Sequence, residues 1–102
     1  KQRNGGGNKL DLDLLLRICE YQYTMPCLLA LTEGSLNQTE LAEALNVMNR
    51  ASIRRSAERL QEFGLVSLER RIPQEVVYAL TDKGVKCAQL LCQICEICTG
   101  DG

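Results

Sequence analysis

Cysteine and arginine are the residues of this chain whose types and spacing could do chemistry. Six cysteines and no histidine occur in 102 residues. Cys87, Cys92, Cys95 and Cys98 follow a C-x4-C-x2-C-x2-C pattern near the C-terminal end, and the first three reproduce the ligand spacing of plant-type ferredoxins. Three chemistries fit. A metal or iron–sulfur centre would draw on Cys87, Cys92, Cys95 and Cys98. A disulfide would link two copies of the chain, or join Cys19 or Cys27 to the terminal segment. Free thiols would pack as small apolar side chains or respond to oxidants. Cluster ligands usually come from loops, whereas a continuous helix spreads Cys92, Cys95 and Cys98 over an arc of about 120°. The spacing thus favours packing, with no metal and no cofactor. Cys19, Cys27, Cys87, Cys92, Cys95 and Cys98 all remain disulfide or redox candidates.

The arginines are unevenly spread. Arg50, Arg54, Arg55, Arg59, Arg70 and Arg71 fall in one short segment, opposed there only by Glu58, Glu62 and Glu69. That segment is strongly basic within a chain whose net charge is -1 and whose pI is about 5.4. Binding to phosphates depends on local charge, so a basic face on an acidic body suits nucleic acid. The bland alternative is a solvated helix face with ordinary salt bridges. No histidine, Gly-rich phosphate loop or cysteine with an identifiable base is present, so the chain carries no sign of being an enzyme.

These side chains need elements to hold them. A hydrophobic share of 45% without a long apolar run supports one small domain with no membrane span and a cytoplasmic location. Residues 1–8 are polar and Gly-rich, a disordered arm or cloning remnant, and residues 9–98 form the domain. A first helix is expected from Asn8 to about Tyr23. Leu10, Leu14 and Ile18 line one side of it, and Leu12, Leu16 and Cys19 another. So much apolar circumference fits a dimerisation helix. Thr24 is expected to cap a second helix, with Cys27, Leu28, Leu29 and Leu31 inside and Gly34 as a left-handed C-cap. Asn37-x-x-Glu40 is a capping box for a third helix, and Leu36 against Leu41 is its hydrophobic staple. Asn46 supplies the turn, Val47 and Met48 plug it, and Asn49 caps a fourth helix over about 50–63.

That fourth helix presents Ile53, Ala57 and Leu60 inward. Ser52, Arg55 and Arg59 occupy another face, with Arg50, Arg54 and Ser56 beside them, an arrangement that fits a major groove. Gly64 ends it, and a hairpin, or wing, follows over about 65–80 with Arg70 and Arg71 in its loop as minor-groove or backbone candidates. Thr81 caps a C-terminal helix over about 82–98, where Cys87, Leu91, Ile94 and Cys98 share a stripe suited to a twofold seam, and residues 99–102 fray. The expected fold is mainly α with a small β-hairpin: a winged helix-turn-helix with N- and C-terminal dimerisation helices.

The phrase Leu60-Gln-Glu-Phe-Gly-Leu-Val66, followed by Pro73-Gln-Glu-Val-Val-Tyr-Ala-Leu-Thr-Asp-Lys-Gly84, resembles winged-helix repressors of the MarR, PadR and HxlR groups. The HxlR-type spacing is nearest, and the resemblance spans about residues 26–98. It implies a homodimeric transcriptional regulator that binds double-stranded DNA sequence-specifically. Asn49, Arg50, Ser52, Arg54 and Arg55 would lie in the major groove and Arg70 and Arg71 on the wing, while the Leu-Thr-x-x-Gly element would open a dimerisation helix. It also implies an effector cleft beside the first helix, for a ligand the sequence does not name, and cysteine-dependent redox modulation. The wing is several residues shorter than the HxlR pattern, with Glu75 near its tip. Winged helices also serve as protein–protein interaction modules in larger complexes, which is the alternative function.

Overall fold

Side-chain caps decide where most helices of this chain begin. The computed structural model describes residues 11–71 and 74–100. Its elements are α1 (Leu12–Ile18), α2 (Thr24–Ala30), a 3₁₀ turn (Leu31–Glu33), α3 (Gln38–Leu45), α4 (Arg50–Glu62), β1 (Val66–Arg71), β2 (Glu75–Leu80) and α5 (Asp82–Thr99). At α3 the full capping box forms: the Glu40 N–H donates to Asn37 Oδ1 at 2.7 Å, and the Asn37 N–H donates to Glu40 Oε1 at 2.9 Å. Asn49 accepts from the Ala51 and Ser52 N–H groups at the start of α4. Asn46, at φ 57°, makes the left-handed turn between those two helices. Thr81 Oγ1 accepts from Gly84 N–H at 3.1 Å, starting α5.

Several expectations shift at the first two helices. Asp11, not Asn8, caps α1 by accepting from Leu14 N–H, and the helix ends at Ile18, well short of Tyr23. Asn8 and Leu10 lie outside the described residues, as do the 1–8 arm and residues 101–102. Thr24 is the first residue of α2 and not its cap; Tyr23 stands at the cap without a side-chain bond, and the Thr24 hydroxyl donates to Tyr21 O at 3.3 Å. The 3₁₀ turn extends the segment past Ala30, so Gly34 closes that turn at φ 145°, outside the left-handed helical region. Met48 does not plug the turn before α4: it is 95% exposed, and half-buried Val47 packs there alone.

The core lies where α2, α3, α4 and the hairpin meet. Cys27, Leu28, Leu41, Ile53, Ala57 and Leu60 are completely buried, and Val66 and Tyr78 join them from the strands. The strands pair antiparallel from Val66 with Leu80 to Arg71 with Glu75. Leu36 adds a third line to this sheet by exchanging two backbone hydrogen bonds with Tyr78, at 3.1 and 2.8 Å. That bridge ties the wing to the start of α3.

At the ends the chain is less covered. Within α5, Gly84 and Ala88 are buried, Cys87 and Leu91 pack partly on the core, and every residue from Cys92 to Gly100 is exposed. No residue of α1 is buried, and Leu12, Leu14, Leu15 and Leu16 are exposed. No helix among the described residues is long and apolar enough to cross a membrane.

Candidate nucleic-acid interface

Helix α4 is anchored by one face and offers the rest. Ile53, Ser56, Ala57 and Leu60 are its buried residues. Ser56, expected beside the arginines, is thus an inward residue, and its hydroxyl, fully buried, has no hydrogen-bond partner. The outward arc is sorted along the helix. Its first half carries Arg50, Arg54 and Arg55, all exposed, with Asn49 exposed just before them and Ser52 half-buried between. The nearest acid to this cluster on the helix, Glu58, reaches Arg54 only at 4.0 Å. Gln38 Nε2 donates to Arg50 O at 3.2 Å, fixing the start of α4 against α3.

The second half of α4 is electrically occupied. Arg59, expected in the DNA-facing row, has a side chain only 13% exposed. It pairs with Glu20 at 2.9 Å and Glu62 at 3.1 Å, donates to Arg17 O, and lies 4.8 Å from the Tyr21 ring centroid. Burial works against its charge, but the Glu20 hydrogen bond and the fields of Glu20 and Glu62 outweigh it and hold the guanidinium above its ordinary pKa. Arg59 is therefore a structural cation on this chain, not an available one.

The wing shows the same division. Arg70 and Arg71 belong to β1 and not to the loop; the expected loop residues Ile72 and Pro73 lie outside the described residues. Arg70 is exposed. Arg71 is spent on a latch at the loop end of the hairpin, with Nη2 at 2.8 Å from Glu40 Oε1 and Nε at 2.9 Å from Glu75 Oε1. Asn37 Nδ2 also donates to Glu75, closing the ring of side chains. Glu40 is held below the usual carboxylate range by the Asn37 backbone N–H and by Arg71, and Glu75 by Arg71 and Asn37. Glu75 is thus a brace for Arg71, not a repelling charge at the wing tip.

All six cysteines are free thiols. Cys27 is completely buried, and burial pushes its thiol up to about 12. Cys19, Cys92, Cys95 and Cys98 are exposed, and Cys87 is half-buried. Among the described residues no three cysteines, aspartates or glutamates converge on a point that could hold a metal. Beside the α1–α2 linker lies a depression of about 210 Å³, lined by Tyr21, Tyr23, Ser52, Arg55 and Ser56 among others.

Sequence reasoning missed the residues that consume Arg59 and Arg71. Arg17, Glu20 and Tyr21 had no local signal, because Arg17 meets Arg59 across 42 positions and Glu40 meets Arg71 across 31.

Comparison with known proteins agrees with this geometry. A mutant of ZitR from Lactococcus lactis is 25% identical, with a TM-score of 0.67 over 72% of this chain. The chain spans 51% of that relative's length. A MarR-family transcriptional regulator from Enterococcus faecalis V583 is similar in fold, at 20% identity, TM-score 0.72, and coverage of 92% of this chain and 90% of that one. The reduced form of the transcriptional regulator YodB from B. subtilis gives 16%, 0.71, 88% and 95% for the same measures. None of the curated protein sequences matches the chain. The family model for the HxlR-like helix-turn-helix matches residues 18–100. The fold is the one that those transcriptional regulators share. By that match over most of its length, the chain belongs to the HxlR-like helix-turn-helix family.

Proposed function

We propose that this chain acts as a cytoplasmic homodimer that binds double-stranded DNA sequence-specifically, with α4 of each protomer in successive major grooves. The observation that carries the reading is the charge sorting of α4. Its exposed first half holds Arg50, Arg54 and Arg55, while the acids Glu58 and Glu62 sit in the second half, where Glu62 is engaged by Arg17 and Arg59. Helix-turn-helix proteins place the N-terminal residues of this helix against base edges, and arginine is the commonest reader of guanine there. Asn49, Arg50, Ser52, Arg54 and Arg55 are the groove contacts, and Arg70, exposed on β1, is the wing contact.

What is left uncovered supports dimerisation. Leu12, Leu14 and Leu16 on α1, and Ile94 and Cys98 toward the end of α5, are exposed on a domain too small to tolerate so much apolar surface cheaply. Cys87 and Leu91 begin the same α5 stripe and already pack partly on the protein's own core. The exposed thiols Cys19, Cys92, Cys95 and Cys98 are the ones an oxidant would reach first, and oxidation there would alter DNA affinity through the dimer. A gel shift against a pool of random duplexes tests the function. The wild-type chain should shift DNA, and Arg54→Ala or Arg55→Ala should each weaken the shift about tenfold or more. Absence of any shift at low salt would favour a protein-docking module.

A further inference from the structure

Helix α1 has no buried residue, and the contacts that hold its C-terminal end to the body are made by two arginines. Arg17 Nη2 meets Glu62 Oε2 at 3.1 Å, and its guanidinium stands 5.4 Å from the Phe63 ring centroid. From the other side Arg59 donates to the Arg17 carbonyl, pairs with Glu20, and lies over the Tyr21 ring. Glu62 receives both arginines, one on each carboxylate oxygen. A planar guanidinium with several partners in fixed directions holds an angle better than a flexible ammonium does. It also satisfies a carbonyl at the negative end of α1.

The placement of this joint gives it leverage. Arg59 and Glu62 occupy the last turns of α4, and Arg50, Arg54 and Arg55 the first turns of the same 13-residue helix. A single helix thus connects the grip on α1 to the groove-facing arginines. If α1 carries the partner protomer, the angle between α1 and α4 enters the distance between the two reading helices. We propose that the joint of Arg17 and Glu20 with Arg59 and Glu62 sets the separation of the two α4 helices, and so decides which half-site spacing the dimer accepts. This rests on the dimeric DNA-binding reading above. Arg17, Glu20, Arg59 and Glu62 are positioning residues; none of them touches DNA in this account.

The test uses the full chain as wild type, Arg17→Glu and Arg59→Met. The Arg17 side chain is 58% exposed, so its substitution leaves the core untouched. Half-sites are first selected from random duplexes. Affinities are then measured for single half-sites and for pairs whose separation changes one base pair at a time. Wild type should lose about tenfold or more at two base pairs from its optimum, because bivalent binding collapses when both sites cannot be reached together. Arg17→Glu and Arg59→Met should flatten that profile to within about threefold and leave single half-site affinity unchanged. A sharp wild-type profile that both variants keep would overturn the joint alone, as would an equal loss of affinity for single half-sites. Wild type binding only isolated half-sites as a monomer would overturn the dimeric reading and the joint with it.

Discussion

Gly84 has no room for a side chain: a Cβ built there would stand 1.9 Å from the Leu65 carbonyl oxygen. The glycine of the Leu-Thr-x-x-Gly element thus owes its place to the close approach of α5 to the end of α4, where Thr81 Oγ1 also donates to Gly64 O at 2.6 Å. Gly84→Ala should cost about 2–3 kcal/mol in urea unfolding, an overpacking penalty, and an unchanged midpoint would contradict that packing. Ser56 predicts the opposite sign. Its buried hydroxyl lacks a partner, so Ser56→Ala removes an unsatisfied polar group and should leave Tm unchanged or raise it. A clear drop in Tm would mean that the hydroxyl is bonded in solution.

Elements whose signals are local were legible in the sequence. The Asn37 box, the Asn46 turn and the caps at Asn49 and Thr81 each need residues no more than four apart, and all four stand as read. The hairpin was placed within one residue at three of its strand ends, whereas β1 runs two residues further, through Arg70 and Arg71, than its sequence suggested. What was not legible depended on distant partners. Arg59 and Arg71 look like any other basic residue until Glu20 and Glu40 arrive by folding, and the periodicity of α1 could not show that Asp11 would cap it late. The wing latch yields a prediction at this scale. Glu40 and Glu75 have folded pKa values below their ordinary ones. Their contribution to stability is therefore complete above an unfolded pKa of about 4.3 and is lost as pH falls through the lower folded values. Thermal melts from pH 6 to pH 2 should show this loss in wild type. Glu40→Gln should start from a lower Tm at pH 6 and lose less of it on acidification; parallel curves would argue against the latch.

Across the whole molecule, charge is divided between holding and reading. Arg17, Arg59 and Arg71 are each held by acids of the fold, whereas Arg50, Arg54, Arg55 and Arg70 face outward. A net charge of -1 is then compatible with a basic face, because the acids are concentrated elsewhere or neutralised in pairs. The salt dependence of DNA binding tests this division most directly. In a fluorescence anisotropy titration of a selected duplex from 50 to 300 mM salt, the wild-type log K should fall linearly with log salt. Arg54→Ala with Arg55→Ala should lower affinity for the selected duplex and narrow its advantage over a random duplex, whereas Arg17→Glu should leave the affinity and the slope for a single half-site unchanged. A wild-type protein that does not bind duplex DNA at the lowest salt, or a preference for the selected duplex indifferent to Arg54 and Arg55, would contradict this division.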